Sequence, residues 1–346
     1  MLLEEAFERS RAPYFDGFTG GREPFFDPVT VASNDLPARW TRIDLDKLVT
    51  RHSAVLGSTG SGKSTTVASL LRSISVGQGS GSAFPSARVL LIDIHGEYGH
   101  ALKSAAKVFR VNPQDGESAL FVPYWALDIN DLLPFLLGKT EEKALTAITD
   151  KILAMKLAVS KVKKYPGVDE NSLTADSPVP FSLKKLWYEL IDPEVKTWLD
   201  AARSQTAIKT PGAAETLTAP IYPLPALGSA SPFANNIGVL SIRRQLDQLR
   251  SRLLDKQFDF MLHPGKWEPG IDGIPTNDLP QLLDEWFGHD KPITVLDLSG
   301  VPSAVLLRLI GGILNIIYEA LFWGREMSEG GRKRPLLVVM EEAHLP

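Results

Sequence analysis

Apolar and polar positions along the chain change their period several times, and each change marks an element. Val89–Ile92, Ile293–Leu298 and Leu336–Met340 are continuous apolar runs, bounded by Asp93, Asp297 and the pair Glu341-Glu342. Runs without alternation suit parallel strands buried on both faces. Ser53–Leu56 reads as a further buried strand, followed by a glycine turn and a helix over Lys63–Ile74, and Val108–Val111 as another strand. Between these segments the period is helical. Asp131–Lys164 has helical periodicity with many Lys, Leu and Ala, Ile237–Phe260 reads as an amphipathic helix, and Ser303–Met327 as a long apolar one. Strands alternating with helices predict βαβ crossovers and a parallel sheet, an α/β fold. Pro166–Pro180 and Thr210–Pro232 are dense in Pro, Gly, Ser and Thr and read as loops.

These patterns divide the chain into an N-terminal arm or partial β-barrel (1–50), a first part of an α/β core (51–125), a mainly helical insertion (126–290) and a second part of the core (291–346). The arm carries only short candidate strands, such as Val29–Ala32. A Gly/Ser-rich stretch at Gly77–Ser82 reads as a linker.

Composition narrows the chemistry. The 346 residues contain no cysteine, which excludes disulfides, thiolate zinc sites and a cysteine nucleophile, and fits a reducing cytoplasm. A formal net charge of −4 leaves no whole-molecule positive field, so any nucleic-acid contact must come from a local basic surface. Lys151–Lys164 and the arginines at 243, 244, 250 and 252 are such stretches, although a solvated helix face has the same composition. The longest apolar run, Val301–Trp323, is interrupted by Arg308, Gly311, Gly312, Asn315 and Glu319. It reads as a core helix and not a membrane span, and the acidic N-terminus does not resemble a signal peptide.

The most specific signal is Gly57-Ser58-Thr59-Gly60-Ser61-Gly62-Lys63-Ser64, which fits G-x-x-x-x-G-K-[ST] at every position. Composition alone would generate that pattern in a chain of this length on the order of 1% of the time. Glycines let successive N–H groups turn inward toward phosphate oxygens, and the helix that follows adds its positive end. Lys63 would reach the β- and γ-phosphates and Ser64 would ligate Mg²⁺, so the chain is predicted to bind ATP with Mg²⁺. Thr65 is counted with the loop. A triphosphatase also needs carboxylates at a neighbouring strand end. Glu341 would act on the metal side and Glu342 would polarise the attacking water. Asp93, at the head of Asp93-Ile94-His95-Gly96-Glu97-Tyr98, would join the metal and water network, although turn chemistry and helix capping compete as uses for it. His344 lies close to Glu341 in sequence, but no metal-ligand spacing such as H-E-x-x-H accompanies it.

Taken together, Gly57–Thr65 (GSTGSGKST), Asp93–Tyr98 (DIHGEY), Asp297–Pro302 (DLSGVP) and Glu341–His344 (EEAH) resemble the HerA-like ATPases of the HerA/FtsK superfamily. Arg51-His52, ahead of the first core strand, fits the same pattern. The resemblance implies a RecA-like P-loop NTPase core, homohexameric rings, and ATP-driven translocation of double-stranded DNA, with a nuclease or antiphage effector as partner; that no membrane is expected as a partner follows from reading Val301–Trp323 as a core helix. It places Glu341 at the Walker B metal position and Glu342 at the catalytic base. Two departures stand out: about 50 residues are too few for the family's N-terminal β-barrel, and the polar sensor and arginine finger should lie beyond Pro346. The expectation is therefore that this polypeptide by itself binds nucleotide poorly and turns it over negligibly. A type IV secretion-like protein-export ATPase and a nucleotide-gated scaffold for an effector are the competing readings.

Overall fold

The computed structural model describes residues 52–58, 60–76, 88–165, 168–227, 230–324 and 335–343. The N-terminal arm, Arg51, Thr59, the Gly/Ser linker and His344 lie outside the described residues. The chain divides into two compact units, Met1–Pro85 and Ser86–Pro346.

In the first unit the phosphate loop leads into helix α1 (Lys63–Val76). Ser53–Leu56, expected to be a buried strand, is not one: the segment is irregular and exposed, Leu56 to 89%. A short apolar run becomes a strand only when a neighbouring ladder takes up its backbone groups. Among the described residues, no such ladder forms along this segment.

The second unit is built on a parallel sheet. In chain order its elements are β1 (Arg88–Asp93), α2 (Tyr98–Leu102), β2 (Ala106–Arg110), β3 (Ser118–Ala119), α3 (Ile129–Leu137), α4 (Glu142–Val162), α5 (Leu183–Val195), β4 (Thr197–Trp198), β5 (Phe233–Ala234), α6 (Arg243–Leu254), α7 (Asp259–Leu262), α8 (Leu279–Phe287), β6 (Ile293–Asp297), α9 (Ser303–Trp323) and β7 (Leu336–Met340). The sheet order is β3-β2-β6-β1-β7, with every pairing parallel. β4 and β5 form a separate antiparallel pair. β1 and β6 lie inside the sheet and are buried almost throughout, as their unbroken apolar sequences require. At the edge, β7 is half-exposed.

Helix boundaries depart from the apolar period where local chemistry intervenes. The stretch of helical period over Asp131–Lys164 holds two helices, because Gly138 closes α3 with φ of +69°. A Cβ there would come within 2.8 Å of the Gln248 side chain. The stretch read as a helix over Ile237–Phe260 is broken after α6, where Asp255 accepts the N–H of Gln257 and opens a short 3₁₀ turn ahead of α7.

One continuous hydrophobic core joins the sheet to the helices between residues 126 and 290. It runs from Leu90, Ile92, Phe109 and Leu296 through Leu136, Ile148 and Ile152 to Trp187, Leu246, Trp267 and Trp286. Three buried tryptophans place their N–H on backbone carbonyls: Trp125 on Trp267, Trp187 on Leu246 and Trp267 on Asp278. α9 contains the described segment long and apolar enough to cross a membrane, Ser303–Phe322. It turns Val305, Leu309, Ile313 and Ile317 into this same core.

Candidate functional site

In the first unit, the phosphate loop has the backbone its sequence calls for. Gly60 and Gly62 sit at φ of +80° and +84°, a region in which a side chain is strained. The Ser61 N–H donates to the Ser58 carbonyl at 3.1 Å, closing the turn. Lys63 opens α1, and its ammonium folds back to donate to the carbonyls of Gly57 (2.9 Å) and Ser58 (3.3 Å). Space around Gly60 and Gly62 is open, with nothing within 4 Å of a Cβ built at either. A glycine loop of this shape, with an ammonium on it and a helix N-terminus behind it, is chemically suited to a polyanion.

In the second unit, the carboxyl ends of the parallel strands gather charge. Register puts Arg110 beside Asp297 and Asp297 beside Asp93, while Ile92 pairs with Met340, so that Glu341 follows at the end of the row. The side chains of Asp93 and Asp297 are buried, at 0% and 1% exposure. Asp93 is stabilised by the turn after β1: its Oδ1 accepts the N–H groups of His95 (3.2 Å), Gly96 (2.7 Å) and Glu97 (3.3 Å), and its Oδ2 that of Tyr98 (2.9 Å). Thus Asp93 performs turn and capping chemistry, and it also faces Glu341.

Glu341 is anchored by its own N–H, which donates to the Ile92 carbonyl at 3.2 Å, and its Oε2 accepts the His95 N–H at 3.3 Å. Its carboxyl is pushed up from 4.5 to about 7, first by burial, then by its hydrogen bond with Asp93 and the charge of Asp93, with Glu97 adding to the rise and the His95 N–H opposing it. Two facing carboxylates, one of them so raised, are a donor set that a divalent cation would satisfy. Glu342 lies within the turn after β7 with φ of +48°, a left-handed conformation that costs a non-glycine residue about 1–2 kcal/mol. Such strain recurs at functional positions.

On the other side of Asp93, Asp297 pairs with Arg110 (Nη2 to Oδ2, 3.0 Å) and accepts both the N–H (3.0 Å) and hydroxyl (2.6 Å) of Ser299. Sequence reasoning did not select Arg110 or Ser299 as site residues. The available signal was a charged residue closing an apolar core strand.

The family described as "Helicase HerA, central domain" matches residues 33–317, most of the chain. This chain belongs to that family. It is also 35% identical over 85 residues to a probable helicase of Methanocaldococcus jannaschii, a match covering 21% of this chain and 15% of the relative. The HerA assignment accounts for the parallel sheet and the complete phosphate loop together. The two basic stretches of the HerA-type chain commit most of their cations internally. Lys151 pairs with Glu189, Lys163 with Asp278 and Lys164 with Glu170, and Lys156 is buried. On α6, Arg243 and Arg250 donate to the carbonyls of Glu194 and Leu217, and Arg252 stacks between Phe135 and Phe258.

Proposed function

We propose that this protein is the ATP-hydrolysing motor of a DNA translocase or helicase, working in the cytoplasm as a ring of identical subunits and powering a nuclease or antiphage effector. The observation that carries this reading is the Asp93–Glu341 carboxylate pair at the carboxyl edge of the sheet, in a chain whose phosphate loop is complete. Family membership supports the activity, and the relative's description as a probable helicase supports the class of substrate.

The roles follow from the residues. The backbone of Gly57–Ser64 and the ammonium of Lys63 bind the phosphates, Lys63 leaving its contacts with the Gly57 and Ser58 carbonyls as it does so. Ser64 in the loop would be a ligand for Mg²⁺, and so would Glu341 at the sheet edge; the ion when bound would neutralise phosphate charge. Asp93, fixed by four N–H groups, orients Glu341. Glu342 takes a proton from the attacking water and holds that water in line. Thr65 completes the loop's polar edge. An arginine from a neighbouring subunit would stabilise the charge on the transferred phosphoryl group.

The test is Glu342→Gln in the full-length protein. ATP turnover is expected to fall by roughly 100-fold or more, the scale of a lost general base, while binding of a fluorescent ATP analogue stays within about threefold of wild type. Turnover equal to wild type would remove Glu342 from the mechanism. Retained cellular function without turnover would favour a nucleotide-gated scaffold.

A further inference from the structure

The row of strand ends poses an electrostatic problem. Asp297, Asp93 and Glu341 stand on three neighbouring strands, two of them fully buried. Adjacent buried carboxylates need compensation from polar or charged partners. Asp93 receives it from backbone N–H groups and Asp297 from Arg110, which also reaches Ser299 Oγ at 3.4 Å and Glu117 at 3.7 Å.

This second cluster is packed directly against the turn that holds the first. Gly96, at φ of +75°, is closely packed: a Cβ would lie 3.0 Å from Arg110 Nη2, 3.0 Å from Ser299 Oγ and 3.2 Å from Asp297 Oδ2. The N–H of the same Gly96 donates to Asp93 at 2.7 Å, and that of the preceding His95 reaches both Asp93 and Glu341. A further tie runs from the Leu298 N–H to the Asp93 carbonyl at 2.7 Å. A shift of the guanidinium or of Asp297 would therefore loosen the packing behind the 95–97 backbone, which holds the two facing carboxylates.

We propose that Arg110 is a positioning residue for hydrolysis: by pairing with buried Asp297 behind Gly96, it fixes the turn that sets Glu341 against Asp93. This rests on the ATPase reading above. Arg110 touches no reacting atom in this role. Its guanidinium supplies a charge for Asp297 and a rigid fork that also reaches Ser299, so lysine replaces only the charge.

The experiment compares Arg110→Ala, Arg110→Lys, Asp297→Asn and the double variant Arg110→Ala/Asp297→Asn in the full-length protein, measuring kcat, the KM for ATP and the Mg²⁺ concentration giving half-maximal rate. Displacing the carboxylates is expected to lower kcat roughly 10- to 100-fold in Arg110→Ala, to raise the Mg²⁺ requirement and to leave the KM for ATP within about threefold of wild type. Arg110→Lys should recover part of kcat. The double variant should exceed the product of the two single effects, because an amide in place of the Asp297 carboxylate leaves no buried charge unpaired. If Arg110→Ala does not fold, the double variant and Arg110→Lys decide. Wild-type kcat and Mg²⁺ requirement in a folded variant lacking the arginine would overturn the positioning role. Wild-type protein without hydrolysis would overturn the ATPase reading and the positioning role together, whereas wild-type hydrolysis unaffected by loss of Arg110 overturns the positioning role alone.

Discussion

Two adjacent glutamates with different surroundings end the last strand. Glu341 sits against a buried aspartate and holds its proton to about 7, whereas Glu342 occupies a left-handed turn. The raised Glu341 carboxyl makes stability depend on pH. Its folded value lies above the ordinary 4.5, so between these limits the native state binds the proton more tightly than the unfolded chain. Its contribution to stability is full below about pH 4.5 and is lost as pH rises through about 7. Thermal melts of wild type and Glu341→Gln without divalent cations, compared at pH 5 and pH 8, should show wild type losing more stability over that interval. Parallel profiles would contradict the raised value of the Glu341 carboxyl and the burial that chiefly causes it. At this scale, legibility in the sequence was uneven. Residues 57–64 announce themselves because the chemistry sits within eight consecutive positions. Arg110 does not, because Asp297 and Ser299 become its partners only through strand pairing between distant segments.

Among the elements, the apolar runs that became interior strands were legible because burial on both faces leaves a pattern of its own. β1 and β6 match their expected spans within one residue at each end, and β7 matches its own. Ser53–Leu56 shows the limit, since apolar content sets what a strand could bury but not what it pairs with. Helix ends were less legible, because Gly138 and Asp255 act through backbone angles and side-chain hydrogen bonds that period alone does not report. Lys156 is a further case. Read as part of a basic stretch, it is buried, and its ammonium donates to the carbonyls of Ala175 and Ser177, tying the loop before α5 to α4. Burial brings its pKa down to about 7, against the partial opposition of Asp176. Lys156→Met keeps an unbranched chain one atom shorter but strips both carbonyls of their donor, so it should cost about 1–3 kcal/mol. Chemical denaturation would reveal this as a lower midpoint with an unchanged slope. An unchanged midpoint would mean that water replaces the ammonium without loss.

At the level of the whole molecule, the segment 126–290, expected to be an insertion, shares its core with the sheet, so sheet and helices are stabilised together. It also spends much of its positive charge on itself through Lys151, Lys163, Lys164, Arg243, Arg250 and Arg252. With the net charge at −4, binding to duplex DNA should depend on a few local contacts and weaken as salt rises. The central claim, a nucleotide-driven motor acting on DNA, is tested most directly by phosphate release from ATP by the full-length protein with and without linear duplex DNA at low salt. The account predicts a rate that duplex DNA raises several-fold, that added salt returns to the basal level, and that Glu342→Gln abolishes. A rate wholly indifferent to duplex DNA would contradict it and would point instead to the protein-export reading.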